Sequence, residues 1–385
     1  MRITVLGYVV RGPTGGMAWH HLQYVLGLVR LGHDVRFVED SDDYPACYDP
    51  TRYVIDTDPS YGLRFAADAF RRLGLEKIWS YHDAHTGNWL GPDARHAEEF
   101  CRSADMVLNL SGTNPLRDWT GGTPVRAYVD TDPAFTQIRH LKSPAANSLT
   151  AGHNAFLSFG ENIPRGSARI PDDGFPWMAT RQPIVLEQWR VVRPLPGALY
   201  TTVMQWESYR TLHHEGVTYG TKSASFEPYL GLPTLTSFPL EIALGSVDAP
   251  QERLRAHGWS IVDPLDVART PWSYQSYIRQ SRGELTVAKQ GYVLSNAGWF
   301  SERSAAYLAS GRPVVTQRTG FSTVLPVGAG LLEFSTPAEA VAALTEVESD
   351  YALHSRAARE LAEQYFDSDL VLPRLLDDAV DQANA

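Results

Sequence analysis

The stretch that decides the fold is Glu284–Phe321, ELTVAKQGYVLSNAGWFSERSAAYLASGRPVVTQRTGF. An apolar, β-branched run ends at Lys289. A loop through Ser295, Asn296, Ala297 and Gly298 then leads to a helix predicted from about Ser301 to Ser310. Gly311 terminates that helix, and Pro313–Val315 opens the next strand. Strand, loop, helix and strand in this order are the repeating unit of a parallel α/β sheet. Ser301 is placed to cap the helix. Glu302 in the first turn suits the helix dipole in any protein. Its carboxylate can also accept two hydrogen bonds from a ribose diol, while amides at the helix start hold a diphosphate. Arg303 and Lys289 put positive charge close by. Trp299 and Phe300 flank the helix, where they either pack in the core or line a base or sugar.

The same alternation runs outward in both directions. Strands are predicted at Ile3–Tyr8, Val35–Glu39, Lys77–Tyr81, Met106–Leu110, Val125–Val129 and Ala155–Phe159, with helices at Ala18–Leu31, Tyr61–Arg72 and Arg95–Ala104. A Pro- and Gly-dense middle follows, and a second α/β series starts at Ala198–Trp206. The last 35 residues read as helices only. The expected fold class is α/β, with two doubly wound Rossmann-like domains facing a cleft and helices at the C-terminus. The domains are placed at residues 1–190 and 191–365, with 366–385 a helix packing back on the first. Ligands of such sheets bind at the carboxyl ends of the strands.

At the first strand–helix junction stands TGGMAWHHLQYVLGLVRLGHDV, Thr14–Val35. Gly7, Gly12, Gly15 and Gly16 cluster there without the G-x-G-x-x-G or P-loop spacing. They permit either a tight turn or close approach of an anion to free helix amides. His20 is a candidate base or a satisfied core histidine.

Length and composition narrow the function. The 385 residues exceed one ordinary core. A formal net charge of −10 argues against a nucleic-acid partner. The two cysteines, Cys47 and Cys101, show no paired spacing, which fits a reducing cytoplasm. No apolar run is long enough for a transmembrane segment, and the short N-terminal run opens a strand rather than a signal peptide. Nothing in the sequence specifies an oligomeric state.

The G-G pair after strand one, the helix ending LxxLGHxV and the stretch AAYLASGRPVV together resemble the GT-B glycosyltransferases, particularly the glycogen-synthase-like and family 4 type. The resemblance implies that Gly15 and Gly16 face a donor diphosphate and that the helix ending at Gly311 holds the donor ribose. The family's two glutamates fall on Gly298 and Ala306 here. Glu302, one turn before Ala306 on the same face, is the candidate replacement. The resemblance therefore implies a metal-independent hexosyltransferase with no cofactor. Its substrates would be a nucleoside-diphosphate sugar and a small-molecule or glycan acceptor. Donor-binding candidates are Gly15, Gly16, Lys222, Lys289, Gly298, Trp299, Ser301, Glu302 and Arg303, and catalytic candidates are His20 and Asp132. Asp132 belongs to one of two DTDP stretches, which read as helix caps or as Asp-x-Asp metal ligands. No third ligand joins His82 and His85, so no metal site is expected. Lys222 follows the first strand of the second domain and reads as a phosphate ligand or a solvated lysine. Phe175, Trp177 and Trp189 suggest an apolar lining for an acceptor. The same layout also serves non-hydrolysing nucleotide-sugar epimerases and could be a non-catalytic nucleotide binder.

Overall fold

Two parallel sheets, built on the apolar runs of the two halves, turn the loops after their strands toward a shared cleft. The computed structural model describes residues 1–246 and 248–385. The first half holds β1 (Arg2–Leu6), β2 (Asp34–Asp40), a separate hairpin of β3 (Cys47–Asp49) and β4 (Val54–Asp56), β5 (Trp79–Asp83), β6 (Asn88–Leu90), β7 (Met106–Leu110), β8 (Val125–Asp130), β9 (Ala155–Ser158) and β10 (Met178–Ala179). The second holds β11 (Tyr200–Gln205), a hairpin of β12 (Leu212–His214) and β13 (Val217–Tyr219), β14 (Leu240–Gly245), β15 (Ser260–Val262), β16 (Gly283–Thr286), β17 (Val314–Gln317) and β18 (Leu331–Phe334).

The first sheet runs β10-β9-β8-β7-β1-β2-β5-β6, antiparallel only at its β5–β6 edge, and the second runs β15-β14-β11-β16-β17-β18. Each thus contains the doubly wound order, which reverses between β1 and β7 and between β11 and β16. The sequence reading placed these elements to within about two residues at most ends. It missed both hairpins, which lack long alternating runs.

The helix Gly15–Arg30 is not one-sided. It is buried on every face from Ala18 to Leu28. The helix Pro271–Gln280 of the second half packs on one side, and the terminal helix Ser368–Ala383 on another. Its polar residues are therefore partnered inside: Gln23 Oε1 accepts from the Val185 amide (2.8 Å), and His21 Nδ1 lies 2.9 Å from the Met17 carbonyl. The terminal helix also covers β8 and β9, where Gln382 accepts from the Phe156 amide (2.6 Å).

Gly15 makes the cross-cleft helix contact possible. A Cβ there would run into the Thr270 carbonyl and stand 2.8 Å from Tyr274 Cβ. We predict that Gly15→Ala destabilises the protein by about 1–3 kcal/mol through this overlap. Gly122→Ala, where nothing stands within 4 Å, should change stability by less than about 0.5 kcal/mol. Urea unfolding of the two variants measures the difference.

Candidate active site

The loop between β1 and its helix is organised by a carboxylate. Glu39, at the end of β2 and fully buried, accepts from the amides of Val9 (2.6 Å), Val10 (2.7 Å) and Arg11 (2.7 Å). Burial raises its pKa, against Arg11 and these three amides. Arg11 Nε lies 3.5 Å from the same carboxylate, and its Nη2 donates to the Thr113 carbonyl. The amides of residues 9–11 therefore hold the protein's own anion and are closed to a ligand. Only the helix start remains open. Its N-cap, Thr14, makes no side-chain capping bond, and its first turn has no acidic residue.

Thr14, Gly16 and Met17 form one wall of a cavity of about 680 Å³. The opposite wall is the carboxyl end of the second sheet: Val203–Gln205 at the end of β11, Leu244–Ser246 at the end of β14 and Val262 at the end of β15. Glu302 and Arg303 line it from the start of the helix Glu302–Ala309, whose N-cap Ser301 accepts from the Arg303 amide (3.2 Å). The β3–β4 hairpin of the first half reaches across to contribute Tyr48 and Tyr53. Tyr53 is 68% exposed and holds a left-handed backbone, φ 54°. The structure thus brings Gly16, Ser301, Glu302 and Arg303 together.

These residues differ in what they have left to offer. The Glu302 carboxylate makes no hydrogen bond or ion pair among the described residues. Arg303, expected to present charge to a diphosphate, instead turns inward: Nε donates to Glu284 (2.5 Å), Nη1 to the Val203 carbonyl (3.0 Å) and Nη2 to Thr286 Oγ1 (3.0 Å). It ties β11 to β16 at the point where the sheet order reverses. Lys222 is buried rather than solvated. Its Nζ has one long hydrogen bond, 3.5 Å to Thr286 Oγ1, and no carboxylate partner among the described residues. Burial and the adjacent Arg303 push its pKa well below that of a free lysine. An anion brought against it would favour its protonated form, although Lys222 itself does not line the 680 Å³ cavity.

His20 lies in a narrow seam beside the cavity, with Gly16, Gln23, Tyr274, Glu302 and Ala306. Glu302 and Ala306 indeed share that face. Neither ring nitrogen of His20 has a protein hydrogen-bond partner. Burial lowers its pKa, with Glu302 acting against this, so the ring is neutral at pH 7.

Four other candidates stand away from this cavity, across the cleft or against it. Asp132, after β8, receives Lys289 Nζ (3.0 Å), Arg139 Nη2 (2.9 Å), the Tyr209 hydroxyl (2.8 Å) and the Tyr292 hydroxyl. Burial would raise its pKa, but Lys289, Arg139 and the two hydroxyls overcome this and hold it at about 2. A carboxylate so acidic and fully partnered is a poor proton acceptor. Lys289, expected at the diphosphate, is committed to Asp132. Trp299 stacks on Tyr292 at 4.2 Å and donates from Nε1 to the Thr131 carbonyl (3.2 Å). Gly298, at φ 77°, packs against Asn162, whose side chain a Cβ would approach to 2.9 Å. Gly298, Trp299, Lys289 and Asp132 therefore join the two halves rather than line the 680 Å³ cavity. Gly15 likewise serves the helix contact. Trp177 and Trp189 are core residues: Trp177 donates to Asp173 (2.8 Å), and Trp189 packs on Trp19. His82 is bonded to Asp40 (2.7 Å), and no three metal-ligating side chains come together among the described residues.

Sequence reasoning missed Glu39, Tyr53, Tyr209 and Tyr292. Only the Tyr292 position, just after a strand end, carried any signal.

No family model and no curated protein sequence matches the chain. Solved structures do. An α-glucosyltransferase in complex with UDP and a mismatch-containing DNA superposes with a TM-score of 0.60 at 10% identity, covering 98% of each chain. Sucrose-phosphate synthase from Thermosynechococcus elongatus gives 0.55 at 13% identity and 98% of each chain. Anabaena HepE, in complex with UDP and glucose, gives 0.54 at 11% identity and 98% of each chain. The chain has the GT-B fold of glycosyltransferases.

We predict that Asp132→Ala, which strips Lys289 of its counter-ion, lowers unfolding stability by about 3 kcal/mol. The folded carboxyl titrates near 2, below the roughly 3.9 of an unfolded chain. Its contribution is then complete at neutral pH and lost as pH falls from about 4 toward 2. Small-angle scattering across that range should show the two halves separating, and at a higher pH in Asp132→Asn.

Proposed function

We propose that the protein transfers a sugar from a nucleoside-diphosphate sugar to a hydroxyl-bearing acceptor. The observation that carries this reading is the 680 Å³ cavity between an uncapped helix start and the reversal point of the second sheet, with an unpaired carboxylate at one side. The geometry suits each part of such a donor. Glu302 accepts two hydrogen bonds from the ribose diol. Amides of Gly16 and Met17, with the unpaired Lys222, neutralise the leaving diphosphate, so the chemistry uses no metal and no cofactor. Tyr48 and Tyr53 offer faces to the base. Two proteins of this fold, the α-glucosyltransferase and HepE, are complexed with UDP.

His20, neutral and unpartnered beside Glu302, is the group able to take the acceptor's proton if configuration inverts. If configuration is retained, it positions the sugar. A nucleic-acid acceptor, such as the first neighbour's DNA, would meet a chain of net charge −10. A small molecule or glycan fits better. Both cysteines are free and buried, which suits a cytoplasmic setting. No helix among the described residues is long and apolar enough to cross a membrane.

UDP, GDP or dTDP should raise the melting temperature, and Glu302→Ala should weaken the one that binds by roughly tenfold to a hundredfold, equivalent to losing about 1.5–3 kcal/mol of charge-assisted hydrogen bonding. Pyrophosphate binding should not change; wild-type nucleotide affinity in the variant sinks the ribose assignment. For an inverting enzyme, His20→Ala should reduce turnover by about 10²–10⁴ with donor affinity retained. Product analysis without acceptor separates transfer from epimerisation, which alone consumes the donor under those conditions.

A further inference from the structure

A cavity of about 1170 Å³ opens on the side of the second half turned away from the cleft. It lies at the amino ends of β11, β14 and β16, where Tyr200, Pro239 and Arg282 line it. Ligands of doubly wound sheets take the opposite ends of the strands, and this cavity shares no residue with the 680 Å³ one. One side is the chain that joins the two halves, residues 191–198, and the other is the start of the helix Tyr351–Tyr365. Val191 and Leu195, 49% and 62% exposed, form an apolar wall with Pro194, Pro196, Phe238 and Ala352. Apolar side chains gathered on one exposed surface, unlike singly scattered ones, mark a binding site.

The polar part of the cavity is held rigid. Arg282 donates to Glu348 from Nε (2.8 Å) and Nη2 (2.6 Å), and the Tyr200 hydroxyl donates to the same carboxylate (2.7 Å). The Arg282 guanidinium lies 3.5 Å from the centre of the Tyr351 ring, whose hydroxyl donates to the Arg282 carbonyl (2.6 Å). The arginine side chain is nonetheless 27% exposed, and its Nη1 makes no hydrogen bond among the described residues. Arg193, on the joining chain, is exposed and forms no ion pair among the described residues.

Arg193 and Arg282 against the single carboxylate of Glu348 leave one positive charge at this cavity, on a chain of net charge −10. One unneutralised cation beside an aliphatic wall matches a monoanion with a hydrocarbon body. The planar guanidinium fits a carboxylate in particular. We infer that this cavity binds an aliphatic monocarboxylate, its charge drawn by Arg193 and Arg282 and its chain lying along Leu195, Pro196 and Phe238. The binding is independent of the proposed transfer reaction.

The test is isothermal titration calorimetry of the full chain with octanoate, octanol and acetate. Octanoate should bind, octanol at least about tenfold more weakly for want of a charge-assisted hydrogen bond, and acetate should give no heat. Ala352→Trp, which fills the cavity from an exposed helix position, should abolish octanoate binding. Arg193→Ala should reduce it to the level of octanol. Both substitutions lie at exposed positions, so both variants should melt with the wild type. No heat from octanoate, octanol bound as tightly as octanoate, or unchanged octanoate binding in Ala352→Trp would each overturn the inference. So would a wild-type dimer in sedimentation that Leu195→Asp splits into monomers, since a second copy would then cover the groove. A wild type that binds octanoate but no nucleoside diphosphate would leave this site standing and remove the transfer reading.

Discussion

One buried carboxylate draws side chains from both halves of the molecule onto a single point. Asp132 stands at the end of a strand of the first sheet, and Lys289, Tyr209 and Tyr292 reach it from the second. Removing a carboxylate and an ammonium from water is expensive. It is offset only where geometry is good and the remaining lone pairs are filled. Arg139 and two tyrosine hydroxyls complete that shell here. Phe135, packed edge-on to Tyr209 and Tyr292, keeps water away. Together with the helix contact at Gly15, this cluster holds the two halves about the cleft where Glu302, His20 and Gly16 converge.

Two further buried carboxylates shape the walls of that cleft. Glu39 gathers the amides of residues 9–11 and so sets the path of the chain into the first helix. Glu284 receives Arg303 and anchors the start of the helix that carries Glu302. Each takes up polar groups that would otherwise be orphaned. What remains unpaired is therefore informative: Glu302, Lys222 and the ring of His20 are the groups that the fold leaves for a ligand. Glu302 lines both the 680 Å³ cavity and the narrow seam that holds His20, so a carboxylate and a neutral imidazole stand side by side at the cavity's edge, which suits a molecule with a diol and a transferable proton nearby.

The architecture was largely legible in the sequence, because the apolar runs of parallel strands and the glycines that end helices depend on local rules. Glu284–Phe321 shows both: Gly311 ends its helix, and Val314 and Val315 lie fully buried in β17. Ser301 and Glu302 were also readable, since a cap and a first-turn acid are defined by their neighbours in the chain. The β3–β4 hairpin that carries Tyr53 was not, because its strands are three residues long and lack periodicity.

The sequence by itself determined two doubly wound units, their order and a helix start armed with Glu302. Only the tertiary structure decided which charges are free. Lys289, Arg303 and Lys222 all read as cations free for a phosphate, yet Lys289 meets Asp132 and Arg303 meets Glu284, while Lys222 meets no carboxylate among the described residues. Such pairings follow from where the sheets bring residues more than a hundred positions apart into contact, as with Asp132 and Lys289. Local spacing carries no record of that, because the energy of a buried charge is set by what surrounds it in space.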